Sequence, residues 1–137
     1  MLFFRDPKRV YAGPAEALAA PADGLVTAVD EVAAPDLGPG TFRRVVIFLS
    51  VFDVHVQRVP ADATVLSSTF RPGRKVPAFR ANADDLNAGH LAVLELAGGD
   101  RIAVRQVAGL LARRVVCYLR SGERRQRGEK LGIIKFG

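Results

Sequence analysis

Two histidines and a single cysteine make a short inventory of side chains able to do chemistry. His55 lies within Phe52-Asp53-Val54-His55-Val56-Gln57-Arg58-Val59-Pro60. As a strand, this run puts Asp53, His55 and Gln57 on one face and Val54 and Val56 on the other, because successive side chains point to opposite sides. A carboxylate two residues from an imidazole on one face orients the ring or raises its pKa, which suits acid–base work near neutral pH. Taken alone, the pattern fits an ordinary exposed polar face better. His90 ends a polar stretch and reads as a surface residue. Asp23 sits in the turn Pro21-Ala22-Asp23-Gly24, where an Asp before Gly commonly closes an Asx-turn. A chemical role for Asp23 needs a partner such as His55. Cys117, inside Val115-Val116-Cys117-Tyr118-Leu119, reads as a buried, inert thiol. The sequence has no Gly-x-Ser-x-Gly elbow, no P-loop, no dinucleotide fingerprint and no His-rich metal spacing. One cysteine also excludes a disulfide framework and a Cys-ligated zinc site. An enzyme built on this chain shows no electrophile among its ordinary side chains.

The elements that must hold these residues are short and β-rich. Eight runs stand out: Leu25–Val32, Arg44–Ser50, Val54–Val59, Thr64–Phe70, Leu91–Leu96, Ile102–Val107, Val115–Leu119 and Leu131–Phe136. Turn formers separate them, including Gly38-Pro39-Gly40, Pro72-Gly73, Gly98-Gly99 and Ser121-Gly122. That spacing predicts a mainly β sandwich or barrel with few short helices. Ala15–Ala20 has room for a helical turn or two between Pro14 and Pro21. Ala78–Gly89, with Asn82, Asp84, Asp85 and Asn87, predicts a long loop. The glycines from Gly122 to Gly132, followed by Ile133 and Ile134, resemble hairpins of lipoyl-like barrel-sandwich hybrids. No linker or repeat divides the chain, so residues 1–137 read as one domain. The longest aliphatic–aromatic run, Val45-Val46-Ile47-Phe48-Leu49, is far short of the ~20 residues that span a bilayer. Met1 to Arg9 shows no secretory apolar region.

The chain is 49% hydrophobic and 25% charged, with a net charge of +6, a composition ordinary for a globular protein and not that of a disordered one. Charge is uneven along it. Residues 1–100 carry 10 basic and 12 acidic side chains; residues 101–137 carry 10 and 2. The basic end suggests an anionic partner, either nucleic acid or an acidic lipid surface, or simply a solvated arginine-rich face. A basic β-barrel that binds nucleic acid needs aromatic rings among its cations for base stacking. Residues 101–137 offer only Tyr118 and Phe136, and tryptophan is absent throughout, so nucleic acid is disfavoured.

Taken together, six stretches resemble phosphatidylserine decarboxylase in its short proenzyme form. They are Phe3-Phe4-Arg5-Asp6-Pro7-Lys8-Arg9, Pro21-Ala22-Asp23-Gly24, the segment from Phe48 to Pro60, Arg71-Pro72-Gly73, the segment from Gln106 to Arg114, and the segment from Gly128 to Gly137. They occur in family order over nearly the whole chain. The family proenzyme cuts itself between a Gly and a Ser, and in the short form that Gly follows a Phe. Phe136-Gly137 falls at this point, so the resemblance implies a processed β chain with Gly137 at the cleavage site. It implies a covalent pyruvoyl group on the separate α chain following Gly137, which condenses with the substrate amine and serves as an electron sink while carbon dioxide leaves. That group would be the electrophile the side chains lack.

By the same resemblance, Asp23 and His55 are the catalytic residues of this chain. His55 is the proton donor or carboxylate partner, and Asp23 helps polarise the cleavage serine. Longer members carry a second histidine where this chain has Arg58, a residue suited to holding a phosphate or carboxylate. Where the family usually has Asn-Glu-Arg, just before the strand starting near Leu91, this chain has Asp84-Asp85-Leu86-Asn87-Ala88-Gly89-His90, which leaves a fold-retaining relative with altered substrate or no activity as the alternative. Family members often carry an apolar segment before Phe-Phe-Arg-Asp-Pro; this sequence begins at that point, which leaves open both an anchor absent by nature and one cut off. The implied partners are the α chain and an anionic phospholipid surface, with a homodimer of αβ units also admitted. The implied location is peripheral, on the cytoplasmic face of the cell membrane.

Overall fold

The computed structural model describes residues 17–50, 55–73, 87–109 and 114–135. Nine strands run through them: β1 (Leu25–Ala33), β2 (Thr41–Phe48), β3 (Val56–Arg58), β4 (Ala63–Arg71), β5 (Gly89–Leu96), β6 (Arg101–Val107), β7 (Arg114–Cys117), β8 (Arg124–Arg125) and β9 (Lys130–Lys135). Each of the eight expected runs overlaps a strand, and β8 is an addition inside the glycine hairpin. The mainly β expectation holds. The described residues contain no helix, and 17–20 are irregular, so the short helices are not found among them.

The strands form three antiparallel sheets, β1-β2, β3-β9-β7 and β6-β5-β4-β8. In β5, Ala92, Val93 and Leu94 are all buried, which explains why its sequence is an apolar run rather than an alternation. The core draws on both larger sheets: Val59, Ala63, Val65, Ala92, Leu94, Leu119 and Leu131, with Leu96, Ile102, Val104 and Cys117 packed against them. This is the sandwich logic of two apolar faces closing on one another. The β5–β6 turn closes with Gly99 N–H donating to the Leu96 carbonyl at 2.9 Å, and Gly99 has φ +90°, a conformation that favours glycine.

The β1–β2 hairpin is of another kind. Its strands pack chiefly on each other. Asp30 and Arg44 face each other across it in a two-pronged pair, with Arg44 Nε and Nη2 donating to Asp30 Oδ1 and Oδ2 at 2.9 and 2.7 Å. Val29 and Val45, also directly paired, are 60% and 52% exposed.

Candidate functional site

His55 lies one residue before β3 and is only 2% exposed. β3 pairs with β9, and Ile134 N–H donates to the His55 carbonyl at 3.1 Å. Gln57 is also buried, as is Val56. The exposed polar face read from the alternation is therefore corrected: this strand is covered on both sides, and its polar residues point inward. Asp53, the expected carboxylate neighbour, lies outside the described residues.

The buried polar residues around His55 are amides. Gln57 Nε2 donates to the His55 carbonyl at 2.7 Å. Gln106 Nε2, from β6, donates to Gln57 Oε1 at 2.8 Å and to the Val116 carbonyl at 3.1 Å. Gly132 on β9 admits this close packing, because a Cβ there would overlap the Val116 carbonyl oxygen and approach Gln106 Nε2 to 2.6 Å. Sequence reading placed Gln57 beside His55 but missed Gln106. Period-2 alternation tells which face a residue takes, not which distant strand meets it.

The Asp23 turn is fastened to the same strand. The Pro21 carbonyl accepts from Arg58 N–H at 2.8 Å, and Ala19 N–H donates to the Pro60 carbonyl at 2.9 Å. The structure thus brings the turn and the His55 strand side by side, with Asp23 exposed and His55 inside. Arg58 is half-buried and donates through Nη1 to the Gly128 carbonyl at 2.9 Å. It pins the β8–β9 turn to β3. Gly137 lies outside the described residues, as do Asp84, Asp85 and Leu86.

His90 is corrected too. It is half-buried on β5, with Nε2 2.6 Å from Ser68 Oγ, and Ser68 Oγ donates to the Leu119 carbonyl at 2.8 Å. A carbonyl only accepts, so the single serine proton goes to Leu119, and His90 Nε2–H is the donor to Ser68. Ser68 is thereby a clamp between β4, β5 and the 118–120 segment rather than a nucleophile activated by a base. Burial holds the His90 imidazole below its ordinary pKa. The signal was present: His90, Ala92 and Leu94 alternate onto the core face, but the preceding polar residues suggested a loop. Cys117 is half-buried, with Sγ 3.8 Å from Ser68 Oγ. Beside His90 opens a cleft of about 270 Å³ whose walls include Thr69, Arg71, Leu91, Arg105 and Asp36.

The basic end is spread over several elements. Arg125 engages both of its acidic residues, Glu123 at 2.7 Å and Glu129 at 3.5 Å. Arg105, Arg114, Arg120 and Arg124 are exposed. No cluster of His, Cys, Asp and Glu able to hold a metal occurs among the described residues. No helix among them is long and apolar enough to cross a membrane.

Comparison with known proteins accounts for the whole length. The family model for phosphatidylserine decarboxylase matches residues 1–137. The phosphatidylserine decarboxylase proenzyme of Magnetococcus marinus is 43% identical over 135 residues, covering 98% of this chain and 62% of the relative. That of Pelobacter propionicus is 43% identical over 137 residues, covering 100% and 62%. A Mycobacterium leprae proenzyme is 41% identical, covering 99% and 57%. The chain therefore spans about three-fifths of the length of these relatives. A family-model match over residues 1–137 and identities above two in five agree on one assignment: the chain belongs to the phosphatidylserine decarboxylase family.

Proposed function

We propose that this chain is the β-chain part of a pyruvoyl-dependent enzyme that decarboxylates phosphatidylserine to phosphatidylethanolamine. The observation that carries this reading is the match of the chain along its whole length to proenzymes of that name. A pyruvoyl carbonyl on the α chain supplies the electron sink for loss of carbon dioxide. The residues on this chain fit such a group in chemistry. His55 is a buried imidazole able to hold or deliver a proton at the carbon that loses carboxylate. Burial favours this role, because water is kept from competing for the proton. Asp23 is an accessible carboxylate on the adjoining turn and acts in activating the serine that becomes the pyruvoyl group. Arg58 supplies a permanent positive charge for the lipid phosphate or carboxylate. The self-cleavage point is the peptide bond after Gly137.

On this reading the enzyme works peripherally on anionic phospholipid at the cytoplasmic face of the membrane, through exposed cations such as Arg105, Arg114, Arg120 and Arg124. The test is intact-mass and N-terminal analysis of the full-length protein, joined to release of carbon dioxide from phosphatidylserine vesicles. Two chains, the smaller blocked to Edman degradation, and release abolished by His55→Ala are expected. A single unprocessed chain, or release indifferent to His55→Ala, rejects the assignment of roles. Processed protein that releases no carbon dioxide from phosphatidylserine would point instead to the altered-substrate relative that the missing Asn-Glu-Arg raises.

A further inference from the structure

We infer that Gln57 and Gln106 are positioning residues for His55, acting as a buried amide relay that fixes the backbone from which the imidazole projects. This rests on the reading of His55 given above. Both side chains are buried, 4% and 2% exposed, and they come from different sheets. Their orientation is forced. The Val116 carbonyl only accepts, so Gln106 must turn its NH2 toward it. The second N–H of that group points to Gln57 Oε1, and the NH2 of Gln57 then meets the His55 carbonyl, which again only accepts. Flipping either amide sets oxygen against oxygen. Flipping both sets two oxygens against two carbonyls. Donation therefore starts at the Gln106 NH2, which gives one N–H to the β7 backbone and the other to Gln57, and the Gln57 NH2 gives on to the His55 carbonyl.

The same His55 carbonyl also accepts Ile134 N–H from β9. Two donors from different strands converge on one carbonyl and so fix the peptide plane that leaves His55. The arrangement is poor as packing. Gln106 Oε1 is buried with no hydrogen-bond partner among the described residues, where apolar side chains would leave nothing unsatisfied. A polar pair kept under those conditions specifies position rather than adding stability.

The experiment uses the full-length protein. Gln57→Met with Gln106→Met removes the relay while keeping the volume filled. Expected are normal processing, KM for phosphatidylserine within about twofold, kcat lower by about tenfold or more, and faster amide exchange at Ile134. Gln106→Glu keeps the shape but faces carboxylate oxygens toward the Gln57 and Val116 oxygens. Its kcat should be low at neutral pH and recover on acidification, as the carboxyl regains a proton to donate; the wild type shows no such recovery. A kcat per processed molecule within twofold of wild type in both variants overturns the proposal. So does a Glu variant with no recovery at low pH. Should the double variant not fold, the Glu profile decides. If the wild type releases no carbon dioxide, or His55→Ala releases it normally, the decarboxylase reading fails separately. The positional claim is then judged by Ile134: faster exchange in the double variant supports it, and unchanged exchange overturns it.

Discussion

At the scale of single residues, burial decides what the few polar groups do. His90 has its imidazole held neutral by desolvation, so its folded pKa lies below the ordinary 6.5. The unfolded chain then binds more protons just below pH 6.5, and linkage makes stability rise with pH through that window and fall on acidification. The bond to Ser68 survives protonation, since Nε2 donates in either state; the loss comes from charging a half-buried ring. His90→Gln should flatten the pH dependence of the melting temperature just below pH 6.5. A dependence unchanged in the variant would assign it elsewhere. Ser68→Ala leaves the Leu119 carbonyl without its donor and should cost about 1–3 kcal/mol in denaturant titrations. Asp30 has the same pH sign for a different reason. The hydrogen bonds from Arg44 hold its carboxyl below the usual carboxylate range. Its contribution is present above that range and is lost as pH falls through the lowered value. Because the pair is exposed, Arg44→Ala should have little effect at high salt, which a melt in 1 M salt checks.

At the scale of elements, short runs rich in Val and Ile between turn formers located eight of the nine described strands, and the Gly-Gly turn between β5 and β6 closes as its composition requires. What the sequence hid was pairing. Nothing local says that β9 lies between β3 and β7, or that β4 lies between β5 and β8. For that reason His55 was legible as a chemical residue, whereas Gln106, 49 residues from Gln57, was not legible as its neighbour. The apparent exposed face of β3 failed on the same ground: a residue from another sheet, Gln106 of β6, meets Gln57 there. Gly132 is the position where that pairing is most easily broken. A methyl there meets the Val116 carbonyl oxygen, which is backbone and has no rotamer to yield. Gly132→Ala is expected to cost about 3 kcal/mol or more and to displace Gln106, whereas Gly98→Ala, with open space around it, should be nearly silent. Chemical denaturation of the two variants compares them directly.

At the scale of the whole molecule, the arginines of the basic end and the β1–β2 ribbon lie on different elements. The exposed arginines of residues 101–135 sit on β6, β7, β8 and the segment before β8, and this distribution predicts vesicle binding that depends on anionic lipid and weakens as salt rises from 50 to 500 mM, roughly as screening shortens from above to below ~8 Å. Co-sedimentation with neutral and anionic vesicles reads this out; equal binding to both would reject it. The β1–β2 hairpin behaves differently. Leu25, Val26, Val29 and Val45 are each more than half exposed, and the two strands bond only to each other among the described residues. Among the described residues such a ribbon has both edges unpaired and offers an apolar face to any like ribbon it meets. Its consequence is colloidal rather than catalytic. Heated or concentrated protein should be lost to association that begins at this hairpin, before the core around Leu94 and Leu131 gives way. Val29→Thr with Val45→Thr should leave the melting temperature nearly unchanged but raise the fraction recovered in solution after heating, measured by light scattering, so the hairpin sets the shelf life of the molecule while the sandwich sets its fold.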